Sequence, residues 1–363
     1  MAMNAPAVSP ELRAAAFNAA TRQKIVSVPG FAYAAGQVGQ TLLPKVGLLA
    51  RVILRYSGTL TVTIGAGSAV AASRSPWAIA NRIRLLANSS LPLFDTSGFG
   101  AYCALHLQDV QGISSKPGGY AGALTPTNNP AWYPPAIAEV RRFGVAAGAN
   151  PIDIAWPLSV KVNEQDPIGL IVAQNPQTQL VLEVQQGQIA DLVTLAGGAT
   201  ATLTGTWSLG IEYFEAPADP AAMPDVTFVH VWSERRDPIS NVGDFPIRLV
   251  TGDTFLRIAH IVQLNGTLNR ADVESLAITL NESETPYDLP RWLQLEYQRL
   301  RYGKDLPEGV FVHDFFVPDT TRDMLNSALY SDVRARLRIA STATLGTGNN
   351  FVDTVSERLV QVA

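Results

Sequence analysis

Hydroxyl and aliphatic side chains alternate without a break from Thr59 to Ile64. Leu60, Val62 and Ile64 fall on one face of an extended chain, and Thr59, Thr61 and Thr63 fall on the other. A period of two fits a pleated strand and no helix, so this segment is a half-buried strand of a sheet. The period recurs in Leu180, Leu182 and Val184 against Val181 and Glu183, and in Trp207, Leu209, Ile211 and Tyr213 against Ser208, Gly210 and Glu212. It returns in Leu256, Ile258, His260, Val262 and Leu264, with Arg257 and Gln263 on the opposite face. Asn265-Gly266 then supplies the residue pair suited to the positive φ angles of a tight hairpin. Arg51 to Tyr56, Arg82 to Leu86, Ile152 to Val162, Phe245 to Val250, Ser275 to Leu280, Gly309 to Phe316 and Ala335 to Ser341 extend the series. Strand after strand, with no regular helix between them, predicts an all-β sandwich and excludes a parallel α/β sheet.

Helices are few. Ser97 is a good N-cap for a short helix whose Phe99, Tyr102, Cys103 and His106 share one face. From Arg291 to Tyr302 the pattern fits a strand as well as a helix; Pro290 in a first turn and Gly303 as a stop favour the helix. Ser9-Pro10-Glu11 opens a weakly amphipathic helix running to about Lys24, expected to lie outside the core. Ala216 to Pro224 holds Pro217, Pro220 and Pro224 and no apolar periodicity, the signature of a linker. The same order stands on either side of it: a strand, a strand ending in a polar turn (Asn88-Ser89, Asn281-Glu282), an aromatic helix, then further strands. Each half has room for about eight strands, the number in a jelly roll. The expected plan is therefore a helical arm over residues 1–30, a first jelly roll over 31–215, the linker 216–224, a second jelly roll over 225–345 and a polar C-terminal arm over 346–363. Gly346 to Asn350 makes that last arm a natural switch, able to order differently in different surroundings.

Catalytic chemistry has no visible seat. His106, His230, His260 and His313 are far apart in sequence and lack metal-ligand spacing; His260, inside an alternating strand, reads as structural. Cys103 alone excludes an internal disulfide and a cysteine zinc site, and its aromatic helix face suits a buried hydrophobe. No Gly-x-Ser-x-Gly elbow and no Walker A loop occurs, Gly65-Ala66-Gly67 is too short for a nucleotide loop, and Glu282 and Glu284 read as solvated turn acids. No catalytic, cofactor or metal site is expected. Arg334, Arg336 and Arg338 line one strand face, where carboxylates of a neighbouring subunit are a better match than phosphate. Arg51 interrupts the most apolar run, so nothing reaches the roughly 18 residues of a membrane span. No secretory segment is expected at the N-terminus, and the sequons at Asn88, Asn265 and Asn281 carry no expected glycan.

Three segments resemble the double jelly-roll major capsid proteins of tectiviruses, icosahedral bacteriophages with a membrane inside the shell. Ala80 to Phe99 resembles that family's strand, turn and Thr-Ser-Gly-aromatic helix start. Ile154 to Val184 resembles its Pro-Leu strand, acidic loop, apolar turn and second strand. Tyr297 to Phe315 resembles the arginine-rich helix, Asp-x-Pro-x-Gly-Val turn and aromatic strand of the second roll. Together they cover about a fifth of the chain, in the family's order. The resemblance implies a homotrimer forming a pseudo-hexameric capsomer. It also implies contacts with neighbouring capsomers and with vertex (penton) and minor capsid proteins, in a virion made in the cytoplasm of a bacterial host. It further implies an N-terminal helix facing the internal membrane, with Leu12 and Phe17 towards lipid and Arg13, Arg22 and Lys24 towards anionic headgroups.

Composition agrees with assembly. Only 16% of the residues are charged, against roughly 25% in an average globular protein. A subunit flanked by copies of itself needs fewer charges. The net charge of −4 also argues against a coat for phosphate backbones, so no direct nucleic-acid binding is expected. The alternative is a tandem β-sandwich binding module, carbohydrate-binding or a viral spike, which requires several of the 6 tryptophans exposed in a groove.

Overall fold

A computed structural model describes residues 10–108, 145–162, 167–219, 222–224, 226–302, 306–316 and 324–361. The segment from Gln111 to Arg142, which Gly118-Gly119, Asn128-Asn129 and Pro134-Pro135 mark in the sequence as a surface loop, lies outside them. The first half runs through α1 (Pro10–Ala20), β1 (Gln23–Ala32), β2 (Val38–Leu42), β3 (Leu48–Thr63), β4 (Ser68–Ala71), β5 (Ala80–Ala87), β6 (Leu91–Thr96) and α2 (Gly98–Gln108). It continues with β7 (Gly148–Ser159), β8 (Ile171–Val172), β9 (Leu180–Gln186), α3 (Ile189–Leu192), β10 (Val193–Ala196) and β11 (Thr200–Phe214). The second half holds β12 (Phe228–Pro238), β13 (Gly243–Arg248), β14 (Thr254–Leu264), β15 (Thr267–Leu268), β16 (Val273–Leu280) and β17 (Glu284–Pro290). There follow α4 (Arg291–Tyr302), β18 (Val310–Asp314), β19 (Leu325–Asn326), β20 (Val333–Ile339) and β21 (Phe351–Gln361).

Each half has eight principal strands. Counted one to eight, those of the first are β1, β2, β3, β5, β6, β7, β9 and β11, and those of the second are β12, β13, β14, β16, β17, β18, β20 and β21. Both halves then show the same two sheet orders, 1-8-3-6 and 2-7-4-5. The architecture is two tandem jelly rolls of one topology, with a helix between strands five and six of each. The two rolls share a ten-stranded sheet. It is continuous because β6 of the first roll lies parallel to β12 of the second, with Trp232 opposite Phe94 and Ser233 opposite Asp95.

Local chemistry explains the elements. The Ser97 hydroxyl accepts from the Gly100 N–H at 3.0 Å and caps α2. Asn88-Ser89 and Asn281-Glu282 take positive φ in their turns, and Asn265-Gly266 does so between β14 and β15. The sequence divides β3 at Ser57-Gly58, yet it runs unbroken for 16 residues. Gly58 pairs with Gly205 on β11, and the Tyr56 ring lies over both. A Cβ at either glycine meets the Tyr56 hydroxyl at 2.5 Å, so the missing side chains make room for the ring rather than breaking the strand. Tyr56, Trp207, Trp156 and Trp77 then form a column through the first core, with successive centroids 5.0, 5.8 and 5.5 Å apart. Each such ring buries about 200 Å², roughly 5 kcal/mol of transfer free energy. Ile247, Ile258, Val262, Leu276, Phe311, Leu337 and Val352 build the second core between its two sheets.

Three expectations at the chain ends are corrected. The N-terminal helix stops at Ala20, and Gln23–Ala32 is strand one of the first roll, paired with β11. The residues from 351 form no arm: β21 lies between β12 and β14 as strand eight of the second roll. Val352, Asp353, Val355 and Glu357 are all buried, because both faces of this sheet are covered. Gly346 to Asn350 is held as well, since the Asn265 amide side chain and backbone bond to Gly346 and Asn350. The same double coverage buries Arg257 and Gln263, which an alternating strand would expose.

Candidate functional site

Charged side chains gather where the rolls meet. Asp353 on β21 accepts from Arg74 at 2.5 Å and, bidentately, from Arg236 on β12 at 2.7 and 2.9 Å. Arg74 precedes β5, so its contact with Asp353 joins one roll to the other. Its Nε also donates to Gln263 on β14 at 2.9 Å. The guanidinium lies 5.5 Å from the Phe99 ring of α2 and 4.9 Å from the Phe351 ring, while Arg236 stacks 3.7 Å from Phe351. Glu234 accepts from the Ser97 backbone N–H and, at 3.0 Å, from its hydroxyl, seating a β12 carboxylate on the N-terminus of α2. Burial pushes the Glu234 carboxyl up and Asp353 adds to it, against Arg74 and the Ser97 donors.

A second row crosses the 1-8-3-6 sheet of the second roll. His230, Glu357, Arg257 and Asp314 come from its four strands. Arg257 bonds Glu357 at 2.5 Å and lies 3.3 Å from Asp314, and His230 meets Glu357 at 2.8 Å. From α4, Arg301 and Tyr302 donate to Asp314 at 3.0 and 2.8 Å. Burial alone raises the Glu357 carboxyl, but Arg257 and His230 outweigh it and hold it below the ordinary carboxylate range. These charges pair with one another inside the fold and tie neighbouring strands together.

The N-terminal residues expected to face a membrane are divided. Leu12 and Arg22 are exposed and Arg13 is half-buried. Lys24 on β1 pairs with Glu215, the residue after β11, which raises its ammonium pKa. Phe17 does not face outward: it is 1% exposed, packed with Leu48, Ala50 and Leu170 and edge-on to Phe214 at 5.3 Å. The helix is thus tethered to the roll, and its bulkiest apolar residue is the tether. Arg334, Arg336 and Arg338 lie near carboxylates of the chain itself, at Glu282 (2.9 Å), Asp288 (3.7 Å) and Glu274 (3.1 Å), so they do not depend on a neighbouring subunit for a counter-charge.

His260 and His313 are buried with centroids 6.0 Å apart, and burial lowers His260 to about 3 and His313 well below 6.5. Cys103 is buried, which pushes its thiol up. Among the described residues no group of three or more His, Cys, Asp or Glu is placed to hold a metal ion. Trp77, Trp156, Trp207 and Trp232 are buried; Trp292 is exposed, and Trp132 lies outside the described residues. Sequence reasoning missed Arg74, Glu234, Arg257, Asp353 and Glu357. No alternating pattern in Phe351–Val360 signalled Asp353 or Glu357, because both faces of β21 are covered.

No protein-family model matches the chain. No curated protein sequence matches it either. Solved structures do. The major capsid protein of Sulfolobus turreted icosahedral virus superimposes with a TM-score of 0.67 at 13% identity, covering 94% of this chain and 97% of that one. The PBCV-1 protein VP54, fitted into a reconstruction of the virophage Sputnik, gives 0.63 at 11% identity over 93% and 94%. The major capsid protein of bacteriophage PM2 gives 0.51 at 11% identity over 94% and 98%. At these identities the likeness establishes the double jelly-roll fold.

Proposed function

We propose that this chain is the major capsid protein of an icosahedral virus, a structural subunit that trimerises into pseudo-hexameric capsomers and closes a shell. The observation that carries the reading is the fusion of two topologically identical rolls through one continuous sheet, matched end to end by capsid proteins that share almost no sequence with it. Two like rolls per chain give a three-chain ring six similar corners, and polar contacts at the seam keep each pair rigid. The paired charges bind strands together, which suits a structural role. The buried tryptophans disfavour a carbohydrate-binding or spike module.

An internal membrane, as in tectivirus-like phages, is the finer form of this reading. Leu12, with Arg13 and Arg22, is the part of α1 that supports it; Phe17 is withdrawn. No described helix is long and apolar enough to cross a membrane; the contact proposed for α1 is peripheral and depends on many copies. Contacts with vertex and minor capsid proteins and synthesis in a bacterial cytoplasm belong to the same finer reading, as do the domain bounds at the linker. Light scattering of the purified chain tests the core of it. A mass about three times 38.9 kDa is expected, and a monomer under all conditions overturns the reading.

A further inference from the structure

Helix α4 buries two glutamines and exposes large apolar side chains, although Tyr302 is buried and Leu295 packs on the second core. Gln294 is 0% exposed and Gln298 is also buried, whereas Trp292 is 66% and Leu300 is 86% exposed, with Leu293 and Tyr297 partly so. The reason lies in what the helix covers. It lies on β16 and β17 and along the open edge of β18, which pairs with β14 on one side and with no described strand on the other. Gln294 donates to the Val312 carbonyl at 2.5 Å, and the Tyr297 hydroxyl reaches the Asp314 carbonyl at 3.4 Å. Unpaired strand carbonyls need donors, so the polar side of the helix turns inward and its apolar side is left facing outward.

The chain itself shows what covers such a flank. In the first roll the equivalent helix is α2, between strands five and six, and the second roll closes over it with β12 and β21: Glu234 seats on its N-terminus and Phe351 shares Arg74 with Phe99. The flank of one roll at its strands five and six therefore meets the strand-one flank of the next. Among the described residues two flanks lack this contact. One is the α4, β17 and β18 side of the second roll. The other is the β1 and β2 side of the first, at the far end of the ten-stranded sheet. That side carries Ile25 (64% exposed), Val38 (61%), Val26 and Leu42, and Thr41 on β2 bonds the Pro29 carbonyl of β1 at 3.4 Å.

We propose that Trp292, Leu293, Tyr297 and Leu300 of one copy pack against Ile25, Val26, Val38 and Leu42 of a second copy, head to tail. The contact between rolls is thereby repeated between chains, and the ring closes after three. Together the eight residues expose roughly 800 Å² of apolar surface. A standard interface buries about 1,600 Å², a little over half of it apolar, so these two flanks supply what one such interface needs. Contacts of this heterologous kind make closed rings when the rotation permits. The inference rests on the capsid reading for its three-fold closure, but its residues come from the flanks alone.

Leu300→Glu and Val38→Glu test it, each at an exposed position, with unchanged thermal unfolding as the control for folding and Trp292→Ser as a second position on α4. Light scattering is expected to give three chains for the wild type and one for each variant. An equimolar mixture of Leu300→Glu and Val38→Glu retains one competent pair of flanks and is expected to give a two-chain complex that grows no further. Folded variants that remain trimeric overturn the inference and leave the capsid reading standing, as does a mixture that stays monomeric. A monomeric wild type overturns both.

Discussion

Asp353 is the residue on which the joint between the rolls turns. Its carboxylate is buried and accepts from two guanidinium groups, so its removal leaves Arg74 buried without a carboxylate. Asp353→Ala is expected to cost about 3–5 kcal/mol, whereas Glu282→Ala, on an exposed pair with Arg334, is expected to cost less than about 1 kcal/mol. Urea unfolding of the two variants separates buried from exposed charge. His313 makes a second residue-scale claim. Both ring nitrogens are buried without a hydrogen-bond partner, beside Phe315 and Tyr287. Burial holds it neutral well below 6.5, so the unfolded chain takes up a proton that the folded chain refuses. Its contribution is present above pH 6.5 and is lost as the pH falls. Between pH 7 and pH 5, His313→Phe is expected to lose roughly 2 kcal/mol less stability than the wild type. Equal losses would show that His313 is protonated in the fold. The sequence marked His260 and Cys103 as structural, because each sits on an apolar period. It did not mark Asp353 or Glu357, because a charge in an alternating segment is ordinarily on the wet face, and here neither face is wet.

At the scale of elements, legibility followed coverage. Thr59 to Ile64, Trp207 to Tyr213 and the turns at Asn88 and Asn281 were legible because one face of each strand is wet and the turn residues take positive φ. The helices at Ser97 and Arg291 were legible from their caps and flanking Pro and Gly. Strand β21 was not, since burial on both faces erases the alternation that identifies a strand. Truncation before Phe351 is therefore expected to yield an insoluble chain, because the central strand of the shared sheet is lost. A soluble, cooperatively folding product would contradict the placement of β21. For α1 the expectation is local. Phe17→Ala removes its tether, so trypsin should cleave faster at Arg13 and Arg22 while the main unfolding transition of the rolls stays in place. Unchanged cleavage would mean that the helix is held by other contacts.

At the scale of the whole molecule, the low charge content finds a physical reason. The shared sheet and the seam bury charges in pairs, and the two end flanks present apolar side chains where a free monomer would carry lysine and glutamate. In the proposed assembly, two like rolls set side by side, with the contact between them left open at both ends, would form one third of a ring. The central claim is that this chain exists as such a ring. Electron cryomicroscopy of the purified full-length protein tests it most directly. Class averages should show six-lobed particles built from three chains, with a hexagonal outline. Solitary two-lobed particles at every concentration would contradict it.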